Sequence, residues 1–74
     1  MTEQYPPISY GTRVKTTEPN TALRRHWTDE GWASKKCGVE GVVIDHHDSH
    51  GLSYEVEHDD GTVGHYDPSE IQTL

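Results

Sequence analysis

Residues 38–66 of the chain read GVEGVVIDHHDSHGLSYEVEHDDGTVGHY, and their pattern predicts two β-hairpins in series. Residues 52–58 alternate apolar and polar side chains, which is typical of a strand with one buried face. Asp59-Asp60-Gly61 then predicts a tight turn, because glycine adopts the positive φ that such turns need. A second turn at residues 48–51 divides the remainder, so the segment predicts three consecutive strands, Val39–His47, Leu52–His58 and Thr62–Tyr66.

The residues on either side of this segment predict two further strands. Tyr10–Thr16 is the first, since Val14 stands between two charged residues in an inside-outside pattern. After residue 66, Asp67-Pro68-Ser69-Glu70 combines an N-cap aspartate, a proline at the first helical position and a glutamate at the third. This combination predicts a single helical turn, followed by a short fifth strand at Ile71–Leu74.

The first two predicted strands are separated by a connection that covers residues 17–38. A loop of this length is uncommon in so small a domain and is therefore a place to expect function. Asn20 is a good N-cap, and Leu23 and Trp27 stand at i and i+4, which predicts one or two helical turns over residues 21–27.

Length and composition indicate one small domain with a thin core. The 74 residues are 30% apolar and include no Phe. A small closed barrel suits such a composition, because closure removes exposed strand edges. We expect residues 1–9 to form a flexible lead-in and residues 10–74 to form the domain. The predicted core consists of Val14, Val42, Ile44, Tyr54, Val56, Tyr66 and Ile71, with Val43 and Leu52 beside them.

Charge is divided unevenly along the chain, whose net charge is −7. All six Lys and Arg residues lie within residues 1–36, where four acidic residues leave a net charge of +2. Residues 37–74 contain nine acidic residues and neither Lys nor Arg. The acidic part should repel nucleic acid, so a nucleic-acid surface would have to lie around residues 13–36.

Cysteine usage and hydropathy indicate the compartment. The single cysteine, Cys37, cannot form an internal disulfide, and no signal-peptide pattern stands at the N-terminus. No apolar run approaches the roughly 20 residues that a membrane-spanning helix needs. We therefore expect a reduced, cytoplasmic protein that does not associate with a membrane.

The order of the predicted elements resembles the SH3-like small barrel. The resemblance covers about residues 10–74 and implies an all-β, five-stranded barrel with a long first loop and one helical turn before the last strand. The segments that carry it are Gly11-Thr12-Arg13-Val14, Gly38-Val39-Glu40-Gly41-Val42-Val43, Tyr54-Glu55-Val56, Asp60-Gly61-Thr62 and Tyr66-Asp67-Pro68-Ser69-Glu70-Ile71.

Two groups within this fold share further features with the chain. The Gly-x-x-Gly-x-Val segment that begins at Gly38 resembles the core of KOW and Tudor-type modules. The long aromatic first loop resembles that of small accessory subunits of electron-transfer complexes, such as the photosystem I subunit with this fold and the variable chain of ferredoxin-thioredoxin reductase. KOW modules are usually basic, whereas this chain is acidic, and an aromatic cage of the Tudor type is not evident in the sequence.

The long connection carries basic and aromatic residues side by side, at Arg24, Arg25, Trp27 and Trp32. Trp and Arg dominate protein–protein hot spots, so these four residues predict a surface that docks on a larger protein. The same residue types stack bases and meet phosphates, so a nucleic-acid-binding module of KOW or Tudor type is the alternative. A structural role also stays open, in which the Trp rings complete the core.

Three histidines cluster around the turn before Gly51, at His46, His47 and His50. Imidazoles beside aspartates suit zinc, nickel or copper, so a metal-binding protein is a further alternative. His46 and His50 would converge across the turn if the hairpin forms. Exposed polar residues on strand ends account for the same pattern without a metal.

A second histidine pair and the cysteine complete the candidate chemistry. His65 would meet His58 across the next hairpin if its turn sets that register. Cys37 and His26 form only a weak nucleophile pattern, and Cys37 is predicted to be a small buried hydrophobe. The sequence contains no phosphate-binding loop, nucleophile elbow or cofactor fingerprint. We therefore expect a protein that is not an enzyme and holds no cofactor.

Overall fold

A computed structural model of the protein describes residues 7–49 and 51–74. Its strands form one antiparallel sheet of five strands in the order β4-β3-β2-β1-β5. The strand bounds are Arg13–Thr16 for β1, Glu40–His47 for β2, Ser53–His58 for β3, Val63–Tyr66 for β4 and Ile71–Thr73 for β5.

The five predicted strands are confirmed, with β1 shorter than expected. It begins at Arg13 instead of Tyr10, because the preceding residues form a turn. In that turn the Thr12 amide donates to the Ser9 carbonyl, and Gly11 has a φ of 86°. The pairings do not close the sheet, since β4 and β5 are its two edges.

The core lies on one face of the sheet. Its buried residues are Val14, Val43, Tyr54, Val56, Tyr66 and Ile71, and Ile8 and Leu52 pack against them. Residues 1–6 of the predicted lead-in lie outside the described residues.

Two core predictions, Val42 and Ile44, are wrong. Val14 pairs with Gly41, so Gly41 and Val43 face the core and Val42 between them is only half-buried. The register with β3 then shifts between Val43 and Asp45, so Ile44 is the extra residue of a bulge and is 42% exposed. A period-2 assignment cannot locate the bulge inside a continuous apolar run.

The connection between β1 and β2 contains two short helices. A 3₁₀ helix spans Thr21–His26 and is capped by Asn20, whose side chain accepts a hydrogen bond from the Ala22 amide at 3.1 Å. This confirms the predicted helical turns. The helix α1, Asp29–Ala33, was not predicted, although Thr28 followed by two acidic residues is an N-cap pattern. Neither helix contains a buried residue, so both lie over the surface.

A second 3₁₀ helix, Pro68–Glu70, precedes β5 and has the predicted capping box. Asp67 accepts from the Ser69 amide at 3.0 Å, and the Glu70 carboxylate accepts from the Asp67 amide at 2.7 Å. Within the described residues, no helix has the length and apolar character needed to cross a membrane.

Candidate functional site

A buried ion pair joins the long connection to the end of the sheet. Lys35 Nζ lies 2.6 Å from Glu70 Oε1, and both side chains are 0% exposed. Lys35 also donates to the His65 carbonyl at 2.8 Å, and Glu70 Oε2 accepts from the Asn20 amide at 2.7 Å. With the capping bond from the Asp67 amide, Glu70 holds three separate segments together.

Aromatic rings surround the ammonium group of this pair. Lys35 Nζ lies 3.4 Å from the ring centroid of Trp27, 5.2 Å from that of Tyr66 and 5.9 Å from that of Trp32. Burial lowers the pKa of Lys35, and the bond to Glu70 opposes this shift. Trp27 therefore covers an internal charge and makes a cation–π contact with it.

The predicted docking residues occupy different environments. Arg24 Nη2 lies 2.5 Å from Asp29 Oδ1, and its guanidinium lies 5.4 Å from the Trp32 ring centroid. Arg25 is exposed, and no ion pair holds it within residues 7–49 and 51–74. Both tryptophans are half-buried, so neither is a residue of the main core.

Trp27 lines two adjoining grooves. The first has a volume of about 240 Å³ and is lined by Leu23, His26, Trp27, Gly51, Leu52, Ser53 and Asp67. The second, about 380 Å³, is lined by His26, Trp27, Thr28, Glu30, Gly31, Ser34 and His65. The half-exposed indole thus forms a ridge between two shallow depressions.

The histidine-rich turn does not place its residues on one face. His46 pairs with the buried Tyr54 and its Nδ1 lies 2.6 Å from the Tyr10 hydroxyl. His47 points to the opposite, outer face, because successive strand residues alternate. Its Nε2 lies 2.8 Å from Glu55 Oε1. His50 lies outside the described residues, so its predicted convergence with His46 stays a prediction.

A different set of ligand-type groups converges on the outer face. Glu55 of β3 lies directly opposite His65 of β4, and His65 Nε2 lies 3.2 Å from Glu55 Oε1. The three donor atoms of His47, Glu55 and His65 all lie within 4.8 Å of one another. The hydrogen bond to Glu55 raises the pKa of His47, and the same bond lowers the pKa of Glu55.

The predicted pairing of His65 with His58 is wrong, because the hairpin register is centred on Asp60 and sets Glu55 against His65. A turn centred on Asp60 predicts the observed register, whereas a turn centred elsewhere does not. The alternation over residues 52–58 places Glu55 on the polar face of β3 and does not by itself indicate a ligand.

His58 has a buried, structural position. Its Nε2 lies 2.6 Å from the Tyr66 hydroxyl, and its Nδ1 lies 2.9 Å from Thr62 Oγ1. Burial lowers the pKa of His58, and the positive charge of Lys36 adds to the shift. The Tyr66 hydroxyl in turn accepts from the Lys36 amide at 2.8 Å, so His58 completes an internal network.

Cys37 is exposed, so its predicted role as a buried hydrophobe is wrong. It lies just before Gly38, whose φ of 73° turns the chain into β2.

Comparison of the chain with protein-family models, with curated proteins and with solved structures finds no match. Two surfaces of the molecule indicate its function, the Trp27 ridge and the outer-face cluster of His47, Glu55 and His65.

Proposed function

We propose that this protein is a non-catalytic binding module that docks on a larger protein through the connection between β1 and β2. The observation that carries the proposal is the Trp27 ridge, a half-exposed indole between two grooves. The buried pair of Lys35 and Glu70 holds that indole in place before any partner arrives. A surface that is already rigid loses less conformational entropy on binding, which favours affinity.

The fold that we propose for this module is the SH3-like barrel. The strand order places β1 between β2 and β5, with a long first connection and a 3₁₀ helix directly before β5. These features support the resemblance that the sequence suggests. In a complete barrel the edge strands β4 and β5 would approach each other.

The chemistry of the surface indicates the kind of partner. Leu23, Trp27 and Leu52 contribute apolar lining to the first groove, and the exposed Arg25, which does not line it, lies on the same 3₁₀ helix as Leu23. Such a site suits a protein segment that presents an apolar side chain flanked by carboxylates. Nucleic acid is the less favoured partner, because residues 37–74 carry nine acidic residues and no Lys or Arg.

The experiment is affinity capture from native lysate with the full chain as bait, with and without nuclease. Leu23→Asp and Arg25→Glu alter the proposed surface at residues of a helix without buried positions. Lys15→Glu is the matched control for Arg25→Glu, because it makes the same charge change at an exposed position on β1.

We expect a stoichiometric protein that survives nuclease, is retained by Lys15→Glu and is lost with both surface variants. Capture that disappears with nuclease would instead support the nucleic-acid alternative. A partner lost equally with Lys15→Glu would show that overall charge, and not the ridge, determines binding.

A further inference from the structure

We propose that His47, Glu55 and His65 form a zinc-binding site on the outer face of the sheet. Each ligand comes from a different strand, β2, β3 and β4 in order. The site differs from the histidine-rich turn that the sequence suggests, since only His47 belongs to both. None of the three ligands lines the first groove of the docking proposal, whereas His65 also lines the second groove beside Trp27.

The spacing of the donor atoms suits a single small cation. Zinc ligands lie at about 2.0–2.2 Å from the metal, so two ligand atoms of a tetrahedral site lie about 3.3–3.6 Å apart. The two histidine nitrogens lie 2.8 and 3.2 Å from Glu55 Oε1, and all three atoms fall within 4.8 Å. Small side-chain rotations would open this triangle to the spacing that zinc requires.

The ligand types favour zinc among the common cations. Imidazole nitrogen and carboxylate oxygen are both ordinary zinc ligands, and two histidines with one carboxylate leave at least one coordination position open. The side chains of His47, Glu55 and His65 are 52%, 24% and 37% exposed, so water or a group from a partner can reach that position.

The surroundings hold one of the ligands in position. Ser34 Oγ accepts from the His65 amide at 3.1 Å and lies 3.5 Å from His65 Nδ1, the ring nitrogen that would not bind the metal. Ser34 Oγ in turn donates to the Gly31 carbonyl at 2.6 Å. Such outer contacts orient metal-binding histidines and raise their affinity.

The local charge also favours a cation. Asp45 pairs with Glu55 across β2 and β3, and Asp48 directly follows His47 in the chain. No Lys or Arg occurs in residues 37–74, which contain all three ligands. Lys35 donates to the His65 carbonyl, but its charge is paired with Glu70, so the acidic side chains around the cluster leave a field that attracts a cation.

The test is a zinc titration of the full chain, prepared without a polyhistidine tag and followed by calorimetry. Cobalt(II) substitution provides a second readout, because its visible absorption reports imidazole and carboxylate coordination directly. The variants are His47→Ala, Glu55→Gln and His65→Ala. The matched control is His46→Ala, which removes the neighbouring imidazole on the other face.

We expect one zinc per chain, and a loss of affinity for each ligand variant that exceeds the roughly 10–100-fold effect of outer-contact changes. Circular dichroism of each metal-free variant confirms that it is folded, and His47→Ala is the safest of the three because His47 is exposed. His46→Ala should bind zinc as the wild type does.

Two outcomes would overturn the proposal. One is the absence of saturable binding in a titration that reaches about 100 µM zinc. The other is a loss with His46→Ala as large as the loss with His65→Ala, which would assign the metal to the histidine-rich turn instead.

Discussion

Two clusters in this small domain each combine a glutamate with basic side chains, but they differ in how far they are exposed to solvent. In the first, Lys35 and Glu70 are completely buried, and their polar atoms bond to three backbone groups besides each other. In the second, His47, Glu55 and His65 lie on the outer face with side chains that remain partly exposed.

The difference indicates which cluster stabilises the fold and which is available for a ligand. Removing one member of a buried pair leaves an uncompensated charge, so the first cluster is indispensable once the chain is folded around it. Exposed pairs contribute little to stability, so the fold does not require the second cluster. Its ligand atoms are accessible to a cation from solvent.

Lys35→Met should produce the largest loss of stability. It leaves the Glu70 carboxylate buried beside two backbone amides with no cation, and this situation typically costs about 3–5 kcal/mol. Urea denaturation at low temperature measures the loss, since a domain of this size has roughly 4–11 kcal/mol in total. A loss no greater than that of His47→Ala would refute the distinction between the two clusters.

Trp27→Ala should have the next largest effect. The indole lies 3.4 Å from Lys35 Nζ, and a desolvated contact of this kind contributes about 2 kcal/mol. Trp32→Ala is the matched control, because its ring lies 5.9 Å from the same nitrogen and should cost less. Equal losses in thermal melts would mean that the cation contact does not determine the role of Trp27.

The buried cluster was only partly predictable from sequence. The capping box at residues 67–70 was recognised, so the position of Glu70 in the last helical turn was correct. Its partner Lys35 lies 35 residues away, and nothing local indicates that a lysine in a surface connection becomes buried. Long-range pairing depends on how the connection packs, which local periodicity does not describe.

The outer-face cluster was missed for a different reason. Turn chemistry correctly predicts the hairpin between β3 and β4. It does not fix the register, and the predicted pairing of His65 with His58 differs from the one observed. Fixing Asp60 as the centre sets Glu55 against His65, and the bulge at Ile44 then brings His47 to the same carboxylate. The bulge and the register depend on how the strands pair, which the local sequence does not show. Proximity along the chain therefore favours His46, His47 and His50 as the candidate ligands.

His58→Gln tests a buried ionisable group outside the pair of Lys35 and Glu70. The folded state lowers the pKa of His58 from its ordinary value of 6.5, through burial first and Lys36 second. Below that value the unfolded chain binds a proton that the folded chain does not, so wild-type stability falls as the pH decreases. The cost of the variant, about 1 kcal/mol from lost hydrogen bonds, should be largest near about pH 8 and smaller near about pH 5.

Urea midpoints of both proteins across this range provide the measurement for His58. If the difference in unfolding free energy between the wild type and His58→Gln does not change with pH, then His58 titrates alike in the folded and unfolded chains.

His47→Ala should have the smallest effect on the metal-free protein. The side chain is 52% exposed and its bond to Glu55 lies at the surface, where such a pair contributes about 0.2–1 kcal/mol. Added zinc should stabilise the wild type by mass action, because it binds only the folded arrangement of three strands, and should not stabilise the variant. Thermal melts with and without zinc compare the two effects in one experiment. A large loss in metal-free His47→Ala would place the outer-face cluster among the structural elements, as Lys35 and Glu70 are.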